Sequence, residues 1–136
     1  MVTYVLHSSA VLRFVDDEAG ADRVEEILRA CVGWQVNAWI SAIQWGEVAG
    51  RLRVRLGAEE QMRILNTLLP SEVTIVPATG EHAVRAAALK VDRRIAYADG
   101  FALDLAMSSP DHKLITADYG FKELADLAQI EFLPAK

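Results

Sequence analysis

Short apolar segments of four or five residues alternate with longer amphipathic segments along this chain, and the alternation constrains its fold more than any other feature. The first kind predicts buried strands and the second predicts helices. Every connection between strands is long enough to hold a helix, as a parallel sheet requires. The predicted strands are Val2–Leu6, Val36–Ile40, Val73–Val76, Lys113–Thr116 and Ile130–Leu133. We therefore predict an α/β fold, a three-layer α/β/α sandwich around a mostly parallel sheet of four or five strands.

The composition favours one globular domain over residues 1–136. Hydrophobic residues make up 52% of the chain, which is enough for a sizeable core, and no linker or repeat divides it. No apolar run approaches the roughly 20 residues of a membrane span, and the N-terminus lacks the features of a signal peptide. We expect a cytoplasmic protein with no membrane partner.

The net charge of −5 argues against binding nucleic acid through a broad basic face. Two local basic patches remain. Arg51 and Arg55 share one predicted helix face, and Arg93 lies close to Lys90 and Arg94. Both patches are equally compatible with solvated helix faces.

Polar residues follow several predicted strands at the position where such sheets bind ligands, beyond the carboxyl ends. His7 and Ser9 follow the first strand, Glu47 lies in the helix after the second, and Asp118 follows the fourth. Asp99 opens the helix before the fourth strand. A carboxylate in a first helical turn also complements the helix dipole, by about 0.3 to 1 kcal/mol, so Asp99 or Asp118 alone has a structural explanation.

The segment around Glu47 is more informative. Ser41 and Gln44 have the spacing of a capping box, which predicts a helix start. Glu47 lies beyond them among apolar residues that include Trp45 and Val48. We expect its carboxylate to face the core and therefore to be paired or to bind a metal.

Several classes of site lack support in the sequence. It has no glycine-rich phosphate loop, no Cys/His metal spacing and no nucleophile elbow, which argues against nucleotide cofactors, structural zinc and a hydrolase triad. A receiver-type signalling domain is also disfavoured, because its third strand ends in Asp whereas this one ends at Pro77.

Four segments carry the polar residues named above, and in chain order they are YVLHSSAVLRF, ISAIQWGEVAGRL, IAYADGFALDLAM and LITADYGFKEL. Together they resemble the four motifs of the PIN-domain nucleases, and within these the VapC-type toxins of bacterial toxin–antitoxin pairs. The second carries the family's Glu at Glu47, the third has Asp99 in the context Tyr-Ala-Asp, and the fourth has Asp118 in the context Thr-x-Asp.

The resemblance implies a sheet order of 3-2-1-4-5 and a single acidic pocket. Position 7, Glu47, Asp99 and Asp118 would converge there, with Ser9 lending a hydroxyl. Carboxylates about 4 Å apart repel by about 4 kcal/mol per pair at an effective dielectric of 20, so such a pocket needs a cation. Oxygen ligands favour Mg²⁺ or Mn²⁺ over zinc.

The resemblance also implies an endoribonuclease toxin, in which water activated by the metal attacks an RNA phosphodiester. Its expected partners are RNA, an antitoxin protein and a second copy of the chain in a homodimer. Arg51, Arg55 and Arg93 are candidates for guiding the RNA backbone.

His7 departs from the family pattern, which has Asp at this position. Imidazole brings no negative charge and Mg²⁺ prefers oxygen, so we expect impaired metal binding and impaired activity. Three interpretations remain open: an active-site variant, a naturally inactive domain that binds RNA or a protein partner, and a ligand for Mn²⁺ or a softer ion.

The remaining polar and aromatic residues are assigned to structure. We expect His82 and His112 at the surface and Asp104 in a solvated or packing role. We expect three tryptophans in the core or a dimer interface, namely Trp34, Trp39 and Trp45.

Overall fold

A five-stranded parallel sheet forms the centre of the computed structural model, which describes residues 1–136. The strands are β1 (Thr3–Leu6), β2 (Asn37–Ser41), β3 (Thr74–Val76), β4 (His112–Thr116) and β5 (Gln129–Phe132). The helices are α1 (Ser8–Val15), α2 (Ala21–Val32), α3 (Ala42–Leu56), α4 (Ala58–Leu68), α5 (Gly80–Arg93) and α6 (Tyr97–Met107). A 3₁₀ helix, Tyr119–Leu124, follows β4. The predicted fold class is confirmed.

The strand order is β3-β2-β1-β4-β5, as the family resemblance implied. The first strand therefore lies at the centre, with β2 on one side and β4 on the other. Its pairing with β4 places Leu6 opposite Ile115, and the backbone N–H of His7 donates to the Ile115 carbonyl at 3.0 Å. The carboxyl ends of β1 and β4 thus lie side by side at the point where the strand order reverses, which is the usual ligand site of such sheets.

Two apolar clusters cover the two faces of the sheet. Because successive strand residues point to opposite faces, Leu6 and Ile115 pack with α1 to α4. Val5 and Leu114 pack with α5, α6 and the 3₁₀ helix. The helical layers hold the loops at the carboxyl edge of the sheet in fixed positions.

Helices α5 and α6 approach each other closely at Gly100 in α6, next to Asp99. A Cβ atom at Gly100 would lie 2.6 Å from the backbone oxygen of Ala86 in α5. The contact is with backbone, so no side-chain rotation relieves it, and the two helices would have to separate.

Gly100→Ala is therefore expected to lower the free energy of unfolding by about 1 to 3 kcal/mol. Gly46→Ala is the matched control, because a Cβ atom at this exposed position in α3 meets nothing within 4 Å. We expect the control to stabilise the protein by about 0.5 to 1 kcal/mol. Urea unfolding measures both changes, and equal midpoints for the two variants would contradict the assigned packing.

Candidate functional site

His7 connects β1 to α1 and is the N-cap residue of the helix. Its backbone is extended, with φ −74° and ψ 150°. The side chain is 5% exposed and meets the edge of the Phe121 ring at 5.0 Å between ring centroids. The imidazole is therefore a fixed, buried group at the carboxyl edge of the sheet.

Both ring nitrogens of His7 have close polar partners. Nε2 lies 2.8 Å from Asp99 Oδ1. Nδ1 lies 2.7 Å from Ser9 Oγ and 3.1 Å from Thr116 Oγ1, and it accepts a hydrogen bond from the Ser9 backbone N–H at 3.3 Å. Since Nδ1 is an acceptor, the ring proton lies on Nε2 and is donated to Asp99. Neither nitrogen has a free lone pair for a metal.

The hydroxyl of Ser9 links α1 to the end of β4. Its Oγ accepts from the Ala117 backbone N–H at 2.9 Å and lies 3.2 Å from Thr116 Oγ1. Thr116 Oγ1 in turn accepts from the Asp118 backbone N–H at 3.0 Å. These bonds hold His7 and Asp118 at neighbouring strand ends.

The two outer carboxylates are exposed. Asp118 caps the 3₁₀ helix by accepting from the Gly120 N–H at 2.9 Å. Glu47 does not face the core, contrary to our expectation. It points into solvent from α3, and its contact with the Ser8 hydroxyl is long, at 3.5 Å. Its exposure removes the need for a buried partner.

The five residues singled out at the strand ends line one open cavity of about 910 Å³. They are His7, Ser9, Glu47, Asp99 and Asp118. Their separation in sequence is large, so the shared cavity is a product of the parallel topology. Whether they act together in catalysis stays a prediction.

The donor set does not fit a divalent ion in this arrangement. No group of three or more His, Cys, Asp or Glu side chains lies close enough together to hold a metal. Asp99 Oδ1 is occupied by the Nε2 proton of His7. Carboxylate oxygens remain at the cavity, but His7 stands where an oxygen ligand would complete the set.

The predicted RNA-guiding arginines differ in their availability. Arg55 is tied to Asp16 by two hydrogen bonds of 2.6 and 2.9 Å, which raise the pKa of Arg55. Arg93 is tied to Asp126, and their hydrogen bond raises the pKa of Arg93 and lowers the pKa of Asp126. Arg51 lines the cavity and makes no hydrogen bond or ion pair.

Gln44 is a site residue that the sequence did not reveal. Its fully buried side chain accepts from the Ser8 backbone N–H at 2.7 Å and donates to the Ala98 carbonyl at 2.7 Å. Ser8 and Ala98 are the sequence neighbours of His7 and Asp99, respectively. The capping-box interpretation is wrong for Gln44, since Ser41 Oγ accepts from Ile43 N–H while Gln44 joins α1 to α6.

Three further expectations need correction. His82 and His112 are not at the surface but buried, at 3% and 8% exposure, because each finds a backbone carbonyl acceptor, Phe101 O and Leu105 O respectively. Trp34 is 77% exposed and belongs to no core cluster, so core burial is wrong for this residue, while burial in a dimer interface stays a prediction. It follows the end of α2 with a left-handed backbone, φ 60°.

Asp104 has a packing role, in line with expectation. It is 8% exposed and accepts from Arg85 Nε at 3.0 and 3.1 Å. It lies outside the cavity that contains Asp99.

The sequence profile of the PIN domain family matches residues 4–127. The chain belongs to the PIN domain family. Its strand order is the one that the sequence resemblance implied for this family. Among curated proteins, no sequence matches the chain.

Several solved structures with the same fold come from toxins or toxin–antitoxin complexes. VapBC2 from Rickettsia felis, bound to a DNA fragment from its promoter, superposes with a TM-score of 0.74 at 16% identity, covering 98% of this chain and 100% of that chain. VapC20 from Mycobacterium tuberculosis, a toxin that cleaves the sarcin-ricin loop, gives 0.71 at 16% identity, with 96% and 99% covered. A toxin–antitoxin complex from Klebsiella pneumoniae gives 0.68 at 20% identity, with 94% and 95% covered. At these identities the likeness establishes the fold alone.

The helices of the PIN domain are too short or too polar to span a membrane. None meets both the length and the apolarity that a transmembrane helix needs.

Proposed function

We propose that this PIN domain is the toxin of a toxin–antitoxin pair, that its site is built for endonucleolytic cleavage of RNA, and that His7 impairs the chain, which is called the native chain only to distinguish it from its variants. The observation that carries the proposal is the convergence of Glu47, Asp99 and Asp118 on one cavity at the switch point of the sheet. The similarity of the fold to VapC toxins supports the toxin assignment.

The impairment follows from the contacts of His7. A PIN nuclease of the kind that the motifs resemble requires Mg²⁺ or Mn²⁺ to activate water and to neutralise charge on the phosphate. In this chain His7 donates to Asp99 and presents no free lone pair, so the set of oxygen ligands is incomplete. The idea that His7 itself binds Mn²⁺ or a softer ion is disfavoured by the same contacts.

The residues retain roles that do not depend on an ion. Asp99 and Asp118 are held in place by hydrogen bonds. Both line the cavity, together with Glu47 from α3. Ser9 and Thr116 fix the two strand ends relative to each other. The cavity is open to solvent and has a volume of about 910 Å³, which leaves room for part of an RNA strand.

The partners follow from the same family assignment. We propose that the chain acts in the cytoplasm as a single domain, pairs with a second copy of itself and is neutralised by an antitoxin protein. The structural neighbours that are complexes of toxin and antitoxin support the antitoxin partner. A native-mass measurement that gives a monomer at high protein concentration would contradict the proposed homodimer.

Expression in bacteria tests the toxin assignment. We expect induction of the native chain to leave growth nearly unchanged, and induction of the His7→Asp chain to stop growth and fragment cellular RNA. Co-expression of the cognate antitoxin should restore growth. A His7→Asp, Glu47→Gln double variant is the control and should be harmless. Equal growth with all three chains would contradict the toxin assignment.

A second function is favoured by one observation. Every buried polar side-chain atom of the native chain has a hydrogen-bond partner, His7 included, so the native site is internally satisfied. Such a site suits a catalytically inactive PIN domain that binds RNA or a protein partner. RNA binding by the native chain without cleavage, at any Mg²⁺ or Mn²⁺ concentration, would favour this alternative.

A further inference from the structure

A second, smaller cavity lies on the other side of the carboxylates. It measures about 260 Å³ and shares Asp99 and Asp118 with the large cavity. The two cavities therefore meet at these acids and form one cleft across the carboxyl edge of the sheet. Arg93 and Arg94 line the small cavity alone and mark its far end, whereas Gly120 donates its backbone N–H to Asp118.

Most basic side chains along this cleft are already engaged. Arg13 donates to two backbone carbonyls, Arg55 is paired with Asp16, and Lys136 is paired with Glu18. At the far end, Arg93 is paired with Asp126.

Each cavity nevertheless retains one free cation. Arg51 in the large cavity and Arg94 in the small one are exposed and make no hydrogen bond or ion pair. One free positive charge thus lines each of the two cavities, and the two cavities share Asp99 and Asp118.

The backbone at Arg94 is unusual. Arg94 is the C-cap residue of α5 and has φ 57° and ψ 46°, the left-handed conformation that favours glycine. A cation near a helix C-terminus complements the helix dipole, but Lys90 and Arg93 already provide this charge in the last turn of α5. The dipole therefore does not explain why an arginine occupies this position.

We propose that Arg94 binds a backbone phosphate of single-stranded RNA in a second subsite, so that the strand crosses the carboxylates from Arg51 to Arg94. The proposal rests on the proposed function, and it adds the path of the substrate and two residues that hold it. A guanidinium with all donors free is suited to a phosphate. His7 adds no negative charge beside Asp99. The carboxylates of Asp16 and Glu18, which also line the large cavity, are paired with Arg55 and Lys136.

Binding of a labelled single-stranded oligouridylate to the full native chain tests the path. Fluorescence anisotropy in EDTA measures affinity, and repetition over a range of salt concentrations gives the number of phosphate contacts. We expect Arg94→Gly and Arg51→Ala each to weaken binding about tenfold and to reduce the salt slope by about 0.7, the value for one contact with a single strand. Arg63→Ala is the matched control, since Arg63 is exposed and is paired with Glu60 on α4, outside both cavities.

Arg94→Gly also separates binding from folding. Glycine relieves the left-handed strain, so we expect the variant to melt at a higher temperature while it binds RNA more weakly. Arg94→Lys should retain most of the affinity because the charge remains.

The outcomes distinguish the two proposals. If the native chain and His7→Asp both fail to bind the oligouridylate, the proposed function fails, and the path fails with it. If the native chain binds and Arg94→Gly binds equally well, only the path is wrong. If Arg94→Gly loses affinity for poly-glutamate but not for the oligouridylate, Arg94 serves an acidic protein partner and the RNA subsite is overturned.

Discussion

His7→Asp is expected to produce RNA cleavage that depends on Mg²⁺, at least about 100-fold above the native chain at millimolar Mg²⁺. The change removes the Nε2 donor that occupies Asp99 at 2.8 Å and supplies a carboxylate in its place. A carboxylate at position 7 would lie beside Asp99, and two carboxylates about 4 Å apart repel each other by about 4 kcal/mol at an effective dielectric of 20, which a divalent ion relieves. The measurement is the rate of cleavage of a labelled single-stranded RNA with Mg²⁺ and with EDTA.

The same substitution has a second readout that does not involve catalysis. Without a divalent ion we expect His7→Asp to melt below the native chain, and Mg²⁺ at about 100 times its dissociation constant should stabilise it by about 2.7 kcal/mol. The native chain should melt at the same temperature with Mg²⁺ and with EDTA. His7→Asn is the matched control, since it has the size of Asp without the charge and should neither cleave RNA nor respond to Mg²⁺. An inactive His7→Asp chain with no thermal response to Mg²⁺ would contradict the role assigned to His7.

Gln44→Met is expected to lower the free energy of unfolding by about 2 to 4 kcal/mol, a large fraction of the stability of a small domain. Methionine keeps the volume but leaves the Ser8 N–H and the Ala98 carbonyl without their partner. Because these atoms flank His7 and Asp99, the loss should also disturb the site. In the His7→Asp chain we expect Gln44→Met to raise the Mg²⁺ concentration needed for half-maximal cleavage.

Gln61→Met is the control for Gln44→Met. Gln61 is also buried and donates to the Ala49 carbonyl at 2.8 Å, but it lies in α4, outside the cavity. We expect it to cost stability in urea unfolding without changing the Mg²⁺ dependence. Both variants are compared in the His7→Asp chain. If they need the same Mg²⁺ concentration for half-maximal cleavage, Gln44 acts on stability alone.

The fold followed from the sequence because strand and helix patterns are local. The length of each crossover then required a parallel sheet, and the general rule for such sheets directed attention to position 7 and Asp118 at the strand ends. The order of the strands did not follow from these patterns, because any order with the same crossovers satisfies them. It came from the resemblance of the four motifs and is confirmed.

The contacts inside the site were less predictable, because they depend on partners far away in sequence. Gln44 fits a capping box by spacing, whereas its two partners are 36 and 54 residues away. Glu47 lies in an apolar segment but faces solvent, since the helix face that it shares is open at the cavity. His82 and His112 looked like surface residues because their carbonyl acceptors cannot be recognised in a sequence.

The role of His7 was foreseen only in part. The sequence predicted weaker metal binding because imidazole lacks charge. It did not predict that the ring would donate to Asp99 and accept from Ser9, which closes both nitrogens to an ion. The loss of a ligand at position 7 would only weaken the binding of an ion. The hydrogen bond from His7 to Asp99 also competes with the ion for the Asp99 carboxylate.

Crystals of the native chain and of the His7→Asp chain, soaked in Mn²⁺ and measured for anomalous scattering, test this account most directly. We predict a Mn²⁺ peak beside Asp99 in the His7→Asp crystals, and in the native crystals no peak and an intact hydrogen bond from His7 Nε2 to Asp99. A Mn²⁺ ion bound to His7 in the native crystals would contradict the account.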